Sequence, residues 1–341
     1  MPTILVTGGC GYIGSHTIVD LVTHGYDVVS IDNHSRSTGE LLDGVNRITG
    51  KKIVNHTIDL CDLEAVRAVF RQHRFDGIIH FAAFKSVDES VREPLLYYRN
   101  NFESQINLMS CTREFKIPFF VFSSSCSVYG NADSIPVTES TPLKKAESPY
   151  GMTKQVGEEM LEAFSRVSET QFILLRYFNP VGAHPSAEIG EVPFGRPSNL
   201  IPAITQFAVG KLPQLKVFGT DYDTRDGSCI RDFVHVCDIA RAHTLAFEYL
   251  VNRRNQSSCE IYNLGTGNGV TVLEAIAAFE KISEKKLNYE LAPRRPGDVV
   301  AVYANNDKAR TNLGWNPAYG LDQMMETAWN WELAMGRKAG K

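Results

Sequence analysis

The sequence predicts an α/β protein in which a doubly wound, parallel β-sheet is joined to a smaller, mixed α/β domain. Short apolar stretches of strand length alternate with helical patterns in the first half of the chain, and a glycine-rich turn follows the first stretch. Polar residues suited to ligand binding stand where the predicted strands end. Strands that alternate with helices at this spacing form parallel sheets, and such sheets bind ligands at the carboxyl ends of their strands.

The first strand and helix are joined by a loop that is typical of dinucleotide-binding Rossmann folds. Residues 3–7 predict a buried strand and residues 13–24 a helix, and between them Gly8, Gly11 and Gly14 follow a Gly-x-x-Gly-x-x-Gly spacing. Glycines permit a tight turn and let the backbone approach a pyrophosphate at the helix N-terminus. The loop therefore predicts a nucleotide cofactor.

The second strand, residues 26–31, ends in Asp32. A carboxylate at this point accepts hydrogen bonds from a ribose 2′-hydroxyl and repels a 2′-phosphate, so the residue favours NAD over NADP. Arg36 could soften that preference, but we interpret it as a solvated loop residue.

Three further strands are predicted to end in polar residues. Residues 52–58 lead to Asp59 and Leu60, where an adenine contact is expected, and residues 76–83 lead to Phe84 and Lys85. Residues 118–123 form another strand, with Ser125 just beyond its end. The glycine loop and these residues would meet at one edge of the sheet.

The composition changes after about residue 179, which suggests a second domain. Residues 180–202 are rich in Gly and Pro and predict a binding loop, and residues 321–333 predict a terminal helix. We predict a cofactor domain at residues 1–179 and a substrate domain at 180–341. Whether the chain returns to the first domain around residues 232–262 stays open.

A helix predicted to begin after Ser148 carries the residues with the clearest chemical meaning. Ser148 suits an N-cap and Pro149 the first helical position, and Tyr150 and Lys154 are four residues apart. A phenol of pKa about 10 needs a drop of roughly 3 units to act as a base near neutral pH. One cation about 5 Å away supplies on the order of 3 kcal/mol of this at an effective dielectric near 20. Lys154 and an oxidised nicotinamide would together suffice.

The apolar residues of this helix predict which face is buried. Their stripe has helical spacing, so Tyr150 and Lys154, roughly 115° from its centre, are expected on the helix flank. The residues of the stripe are Val156, Met160, Ala163, Phe164 and Val167.

Bulk properties exclude several classes of protein. A net charge of −4 over 341 residues gives no nucleic-acid footprint, and the apolar runs are too short to span a membrane. A first strand at residue 3 leaves no room for a signal peptide. The seven cysteines show neither the spacing of metal ligands nor a Cys-x-x-Cys motif. We interpret them as the reduced thiols of a cytoplasmic protein. No metal site is predicted, and His235 and His243 are interpreted as structural.

Taken together, these motifs resemble the extended short-chain dehydrogenases/reductases and, among them, the UDP-hexose 4-epimerases. The resemblance spans nearly the whole chain and is far more specific than any one motif. The runs that carry it, beside Ser125, Tyr150 and Lys154, are residues 7–14, 32–33, 80–85, 176–185, 199–200, 217–222, 226–235, 262–267 and 294–298.

The resemblance implies an isomerase that inverts carbon 4 of a UDP-hexose, converting UDP-galactose to UDP-glucose through a transient 4-keto sugar. Tyr150 would remove the proton from the 4-hydroxyl, Ser125 would hydrogen-bond the same oxygen, and Lys154 would hold the nicotinamide ribose. NAD stays bound because no net oxidation occurs. A homodimer is also implied, built from residues 94–115 and the Tyr150 helix.

The same resemblance assigns binding residues. The cofactor set, beyond the three catalytic residues and the three glycines, is Tyr12, Ile13, Asp32, Asn33, His34, Ser35, Arg36, Ser37, Asp59, Leu60, Phe81, Ala82, Ala83, Phe84, Lys85, Asn100, Tyr177 and Phe178. The substrate set, beyond Ser125 and Tyr150, is Lys85, Asn179, Asn199, Leu200, Lys216, Val217, Phe218, Arg231, Arg295, Asp298 and Val302. Arg231 and Arg295 would bind the diphosphate, and Asp298 a uridine ribose hydroxyl.

Val302 occupies the family's position that limits the size of the sugar pocket. Relatives with tyrosine there are generally confined to unacetylated sugars, so a small residue leads to the hypothesis that UDP-GlcNAc and UDP-GalNAc are also substrates. The alternative is that Val302 is a strand residue with no such role.

Three other functions compete with epimerisation. A sugar-nucleotide 4,6-dehydratase would need an acid/base pair after the serine, where this chain has Cys126 and Ser127. An NAD-dependent dehydrogenase or reductase would exchange its cofactor freely. A non-catalytic NAD-binding sensor would be favoured by loss of Tyr150 or Lys154, and both are present.

Overall fold

The computed structural model describes residues 1–195, 197, 199–294 and 299–339. The strands of this part are β1 (Thr3–Thr7), β2 (Asp27–Ile31), β3 (Val54–His56), β4 (Gly77–His80), β5 (Phe119–Ser125), β6 (Gln171–Tyr177), β7 (Asn179–Val181), β8 (Leu215–Phe218), β9 (Ile230–His235), β10 (Cys259–Leu264), β11 (Gly269–Thr271), β12 (Tyr289–Ala292) and β13 (Ala301–Val302). The helices are α1 (Tyr12–Thr23), α2 (Gly39–Thr49), α3 (Leu63–Gln72), α4 (Val87–Arg92), α5 (Pro94–Glu114), α6 (Pro149–Ser165), α7 (Leu200–Ala208), α8 (Val236–Val251), α9 (Val272–Ser283) and α10 (Leu321–Ala339).

Seven parallel strands form the central sheet in the order β10-β6-β5-β4-β1-β2-β3. Its central strands are buried on both faces, as continuous apolar sequences predict. One hydrophobic core lies on each face, with Ile4 and Val6 in the first and Leu5 and Ile78 in the second. The predicted doubly wound α/β fold is therefore confirmed.

The remaining strands form smaller sheets. Strand β9 pairs with β7, β11 and β13, with β11 antiparallel to it and the others parallel, while β8 pairs with β12. Helices α7, α9 and α10 share a third core, in which the rings of Phe279 and Trp329 meet edge to face at 5.4 Å.

Two elements from the second half of the chain, β10 and α8, pack with elements of the first half. Strand β10 forms an edge of the central sheet, and α8 packs beside α1. The division at residue 179 stays a prediction. No helix in the described ranges is both long and apolar enough to cross a membrane.

Helix α6 buries a different face from the one its apolar stripe predicts, and that prediction is wrong. Val167 is 76% exposed, and the other four stripe residues are exposed or only partly buried. The buried residues are Gly151, Thr153, Lys154, Gly157, Glu158, Leu161 and Ser165.

A polar contact explains the difference. The amide of Gln105 on α5 donates to the carbonyl of Gly157 over 2.8 Å, and a Cβ on Gly157 would lie 2.7 Å from the Gln105 amide oxygen. Small and polar side chains thus make this helix interface, and hydrophobic periodicity does not detect them.

Candidate active site

The catalytic candidates meet where β5 ends and α6 begins. Ser148 caps α6 by accepting a hydrogen bond from the Gly151 N–H at 3.1 Å, and Pro149 occupies the first helical position. Ser125 is the last residue of β5 rather than a residue beyond it. Its hydroxyl accepts from the Ser127 N–H at 3.2 Å and also hydrogen-bonds Tyr150.

The ammonium group of Lys154 is buried beside β5. Its Nζ donates to the carbonyl of Ser123 at 2.6 Å and lies 4.8 Å from the centre of the Phe122 ring and 6.0 Å from that of Tyr150. Burial lowers the pKa of Lys154 to about 8, and the charge of Glu158 opposes this shift. The residue is 5% exposed, so it lies in the buried face of α6 and not on its flank.

Burial has the opposite effect on Tyr150. It raises the pKa of the phenol to about 12, although the hydrogen bond with Ser125 lowers it. The protein alone therefore does not produce the lowered pKa of Tyr150 that the sequence led us to expect. Desolvation disfavours the phenolate until a further positive charge enters the site.

The glycine loop fits a pyrophosphate. Helix α1 begins with Gly11 as N-cap and has no side-chain cap, so the N–H groups of its first turn are suited to bind an anion. A Cβ on Gly14 would lie 2.2 Å from the Gly8 carbonyl oxygen. Gly8 has φ +72°, and a Cβ there would lie 2.8 Å from the Ala82 nitrogen. The backbone of β1, α1 and the loop after β4 is packed too closely at this point to admit side chains.

The carboxylate of Asp32 is fixed at the end of β2. It accepts from the N–H groups of Cys10 at 3.1 Å and His34 at 2.9 Å, and from the Ser37 hydroxyl at 2.7 Å. The Asn33 side chain donates to Asp59, at 3.3 Å, across the ends of neighbouring strands. An acid held in this way suits a ribose diol and disfavours a 2′-phosphate.

Arg36 is not a solvated loop residue, which corrects the interpretation from sequence. It pairs with Glu89 at 2.7 Å. Its guanidinium lies between the rings of Phe84 and Phe194, 4.8 Å from the centre of each.

The other predicted cofactor residues lie around the ends of β4 and β6. Phe81, Ala82 and Ala83 follow β4, where the Ala82 N–H donates to Thr7 at 3.4 Å. Asn101 accepts from the Phe84 N–H at 2.9 Å and from the Asn100 side chain at 2.9 Å. Ile13 lies in the first turn of α1, and Ser35 lies in the loop after β2. Leu60 lies just before α3, and Phe178 just after β6. The Tyr177 hydroxyl hydrogen-bonds that of Ser123.

Apart from Lys85, Ser125 and Tyr150, the predicted substrate residues within the described ranges come from five elements, β7, α7, β8, β9 and β13. Asn179 begins β7, and Asn199 and Leu200 begin α7. Of the β8 residues, Lys216 is exposed, whereas Val217 is buried in the third core and Phe218 is partly buried. Val217 can therefore contribute only its backbone to a ligand.

Arg231 on β9 and Val302 on β13 are directly paired across strands. The Arg231 guanidinium donates to the Val299 carbonyl at 2.9 Å. Burial raises the pKa of Cys126, next to Ser125, and the charge of Arg231 opposes this rise, so Arg231 lies on the side of β9 that faces the end of β5. Arg295 and Asp298 lie outside the described residues.

Comparisons with known proteins agree with this geometry. A family model described as GDP-mannose 4,6 dehydratase matches residues 5–328. UDP-glucose 4-epimerase 2 of Arabidopsis thaliana is 47% identical over 333 residues, which cover 96% of this chain and 94% of that protein. The chain belongs to the UDP-glucose 4-epimerase family.

Two solved structures of 4-epimerases share the fold. A UDP-glucose 4-epimerase from Stenotrophomonas maltophila, with bound NAD and formylated UDP-arabinopyranose, is 42% identical, with a TM-score of 0.96 and coverage of 99% of this chain and 100% of the other. The UDP-Glc/GlcNAc 4-epimerase of Campylobacter jejuni is 36% identical, with a TM-score of 0.84 and coverage of 98% and 100%.

The matched family model also names dehydratases, but the site of this 4-epimerase family member lacks their acid/base pair. The positions after Ser125 hold Cys126 and Ser127. Burial raises the pKa of the Cys126 thiol to about 11, so the group stays protonated and is a poor base near neutral pH.

Two acidic residues near the site were missed from the sequence. Glu158, four residues after Lys154, forms a buried ion pair with Arg176, and the Lys-x-x-x-Glu spacing could have indicated it. Glu191, 11% exposed, accepts from Lys85 at 3.2 Å and Asn199 at 2.8 Å. No local pattern distinguishes Glu191, because its partners are distant in sequence.

Proposed function

We propose that this protein is an NAD-dependent UDP-glucose 4-epimerase that interconverts UDP-galactose and UDP-glucose. The observation that carries the proposal is the placement of Ser125, Tyr150 and Lys154 at one sheet edge, beside a glycine loop with an uncapped helix. Family membership over nearly the full chain supports it.

The protein's own side chains would divide the work of proton transfer and binding. Tyr150 takes the proton from the sugar 4-hydroxyl, and Ser125 hydrogen-bonds the same oxygen. Lys154 contributes positive charge and holds the nicotinamide ribose. When bound, NAD supplies reversible hydride transfer at carbon 4 of the sugar. The 4-keto sugar would then turn and take the hydride back on its other face, while Tyr150 returns the proton to the oxygen, so carbon 4 is inverted and no oxidant is consumed.

Binding of the two nucleotides is assigned to different elements. The first turn of α1 would hold the NAD pyrophosphate, and Asp32 the adenosine ribose. Arg231 would pair with the diphosphate of the UDP-sugar, since guanidinium groups make strong charge-assisted bonds to phosphate. Arg295 and Asp298 are proposed to complete this subsite. Firm binding of the unreacting nucleotide supplies energy to position the sugar.

Proton NMR of the purified protein with UDP-galactose, and with no NAD added, tests the function. We expect the anomeric signal of UDP-glucose to appear, which requires both epimerisation and retained cofactor. Consumption of UDP-galactose without formation of UDP-glucose once NAD is added, together with cofactor loss on dialysis, would favour a dehydrogenase or reductase. A sugar that stays unchanged even with added NAD would contradict the proposal and favour the sensor.

We also propose activity on UDP-GlcNAc and UDP-GalNAc. Val302 is a small side chain, 7% exposed, that packs in the first hydrophobic core and pairs with Arg231; we propose that a tyrosine in its place would extend into the space beside the sugar. The likeness to the UDP-Glc/GlcNAc 4-epimerase of Campylobacter jejuni is consistent with an open pocket.

A homodimer is proposed from the outer face of α5 and α6. Leu95, Ile106 and Met152 are exposed large apolar side chains on these helices, and the stacked rings of Tyr98 and Phe102 lie beside them. An apolar patch of this kind marks an interaction site. Helices α5 and α6 run parallel to each other, with Asn101 beside Thr153 and Gln105 beside Gly157, and this pair meeting its copy gives a four-helix bundle.

Replacing Ile106 with Glu tests this interface, with Val54→Glu as control because both side chains are 49% exposed. We expect Ile106→Glu to give monomers in sedimentation analysis and Val54→Glu to leave dimers. A monomeric parent protein would contradict the proposal.

We propose the cytoplasm as its compartment. All seven cysteines are free thiols, and reduced cysteines are typical of that compartment.

A further inference from the structure

Two rows of side chains face each other behind the reacting groups. On α6, Tyr150, Lys154 and Glu158 follow at intervals of four residues and so lie along one side of the helix. Opposite them, three consecutive residues of β5, Ser123, Ser124 and Ser125, each contact one member of this α6 row. The Ser123 carbonyl accepts from Lys154, the Ser124 hydroxyl donates to Glu158, and Ser125 hydrogen-bonds Tyr150.

Glu158 is the innermost member of the α6 row and is fully engaged. It is 4% exposed, and the Arg176 guanidinium binds it in a fork, with Nη2–Oε2 at 2.6 Å and Nε–Oε1 at 2.9 Å. Arg176 in turn donates to the Tyr129 hydroxyl at 3.0 Å. A buried pair of this kind is costly to desolvate and adds little to stability over apolar residues of equal size. Its presence therefore points to a role other than stability.

We infer that Glu158, held by Arg176, is a positioning residue that fixes the carboxyl end of β5 through Ser124, and with it Ser125 and the Ser123 carbonyl that holds the Lys154 ammonium. The inference rests on the proposed epimerase function. Glu158 acts through Ser124 and touches no reacting atom.

The charge of Glu158 also bears on the protonation of Lys154. Burial lowers the pKa of Lys154 to about 8, and Glu158 is the group whose charge raises it. The other titratable groups around the ammonium are Tyr150 on α6, His80 on β4, whose pKa the Lys154 charge lowers, and Tyr177 on β6, whose hydroxyl contacts Ser123. None of these is an anion near neutral pH, because burial raises the pKa of both phenols. Among these groups Glu158 is thus the one anion whose charge favours the protonated form of Lys154, although its direct ion pair is with Arg176.

Glu158→Gln keeps the shape of the side chain and removes its charge. We expect the alkaline limb of the kcat–pH profile to move to lower pH by about one unit, while KM for UDP-galactose and the amount of co-purified NAD stay unchanged. Glu162→Gln, on the exposed side of the same helix, is the matched control and should leave the limb in place. A lower kcat with an unmoved limb would show a purely structural role and overturn the inference.

A second variant separates stability from positioning. Glu158→Gln leaves Arg176 buried without a counter-charge, which is itself destabilising, so Glu158→Gln combined with Arg176→Met removes both charges. We expect the double variant to recover thermal stability while its alkaline limb remains displaced. Glu158→Asp, which keeps the charge, should keep the parent limb. Return of the double variant to the parent profile would overturn the inference.

These outcomes are distinct from failure of the proposed function. The parent protein is first shown to epimerise UDP-galactose by NMR, so a negative result there concerns the function. Once the parent protein is shown to be active, the position of the alkaline limb of the kcat–pH profile in the variants tests only the role of Glu158.

Discussion

Burial sets the protonation of the two side chains at the centre of the site, and it does so in opposite directions. Tyr150 is held neutral, with its pKa raised to about 12, while the pKa of Lys154 falls to about 8. A phenol of this kind stays protonated near neutral pH and cannot accept a proton until positive charge stabilises the phenolate. A bound oxidised nicotinamide would carry such charge, so the site is expected to become basic only when the cofactor is in place.

Tyr150→Phe tests the role of the phenol. Because general acid–base catalysis contributes about 10²–10⁴-fold, we expect kcat for UDP-galactose to fall by that factor, with bound NAD retained. Tyr289→Phe, on the exposed edge strand β12, should have parent activity. A Tyr150→Phe enzyme of near-normal kcat would remove the phenol from the reaction.

Val302 is the residue at which we expect a single substitution to change the substrate range. In Val302→Tyr, we expect turnover of UDP-GalNAc to be lost and that of UDP-galactose to be kept, because the larger ring fills the space for an N-acetyl group. NMR with each substrate measures this, and Val300→Tyr, at an exposed position two residues earlier, is the control. Unchanged turnover of the N-acetyl sugar would contradict the pocket hypothesis.

At the scale of elements, the β1–α1 turn depends on close backbone contact. We expect Gly14→Ala to displace the turn and release NAD, since a Cβ there would lie 2.2 Å from the Gly8 oxygen. Gly39→Ala is the control, because a Cβ at Gly39 meets nothing within 4 Å. Absorbance of the co-purified cofactor reports the result, and full NAD content in Gly14→Ala would show that the turn can relax.

The elements differ in how well local sequence predicts them. Strands β1 to β5 and the glycine loop were predicted because continuous apolar runs and fixed glycine spacing are local signals. The buried face of α6 was not, because its interface is made by Gly157, Lys154 and Glu158 against partners from distant parts of the chain. Arg36 was misread for the same reason, since Phe194 reaches it from the loop before α7. Long-range polar contacts leave no periodic pattern.

At the scale of the whole molecule, buried histidines couple stability to pH. Burial lowers the pKa of four of them far below the ordinary 6.5: to about 3 for His16, His80 and His235 and to about 4 for His243. All four are at most 3% exposed. They therefore stay neutral in the folded protein at pH values where the unfolded chain takes up protons.

This difference predicts a steep loss of stability in mild acid. Between about pH 6.5 and pH 4 the unfolded state binds more protons, so the free energy of unfolding falls as pH falls. Each histidine contributes a slope of up to about 1.4 kcal/mol per pH unit, and four give about 5 kcal/mol per unit. That is comparable with the whole stability of an average domain, so we expect unfolding near pH 5, measured by denaturant titration at several pH values.

His243→Gln should lower the number of protons taken up on unfolding by about one, and the slope of the free energy of unfolding against pH should fall accordingly. His24→Gln, at an exposed position, should leave the slope unchanged. A free energy of unfolding that stays constant from pH 7 to pH 5 would mean that these histidines gain access to water before the protein unfolds.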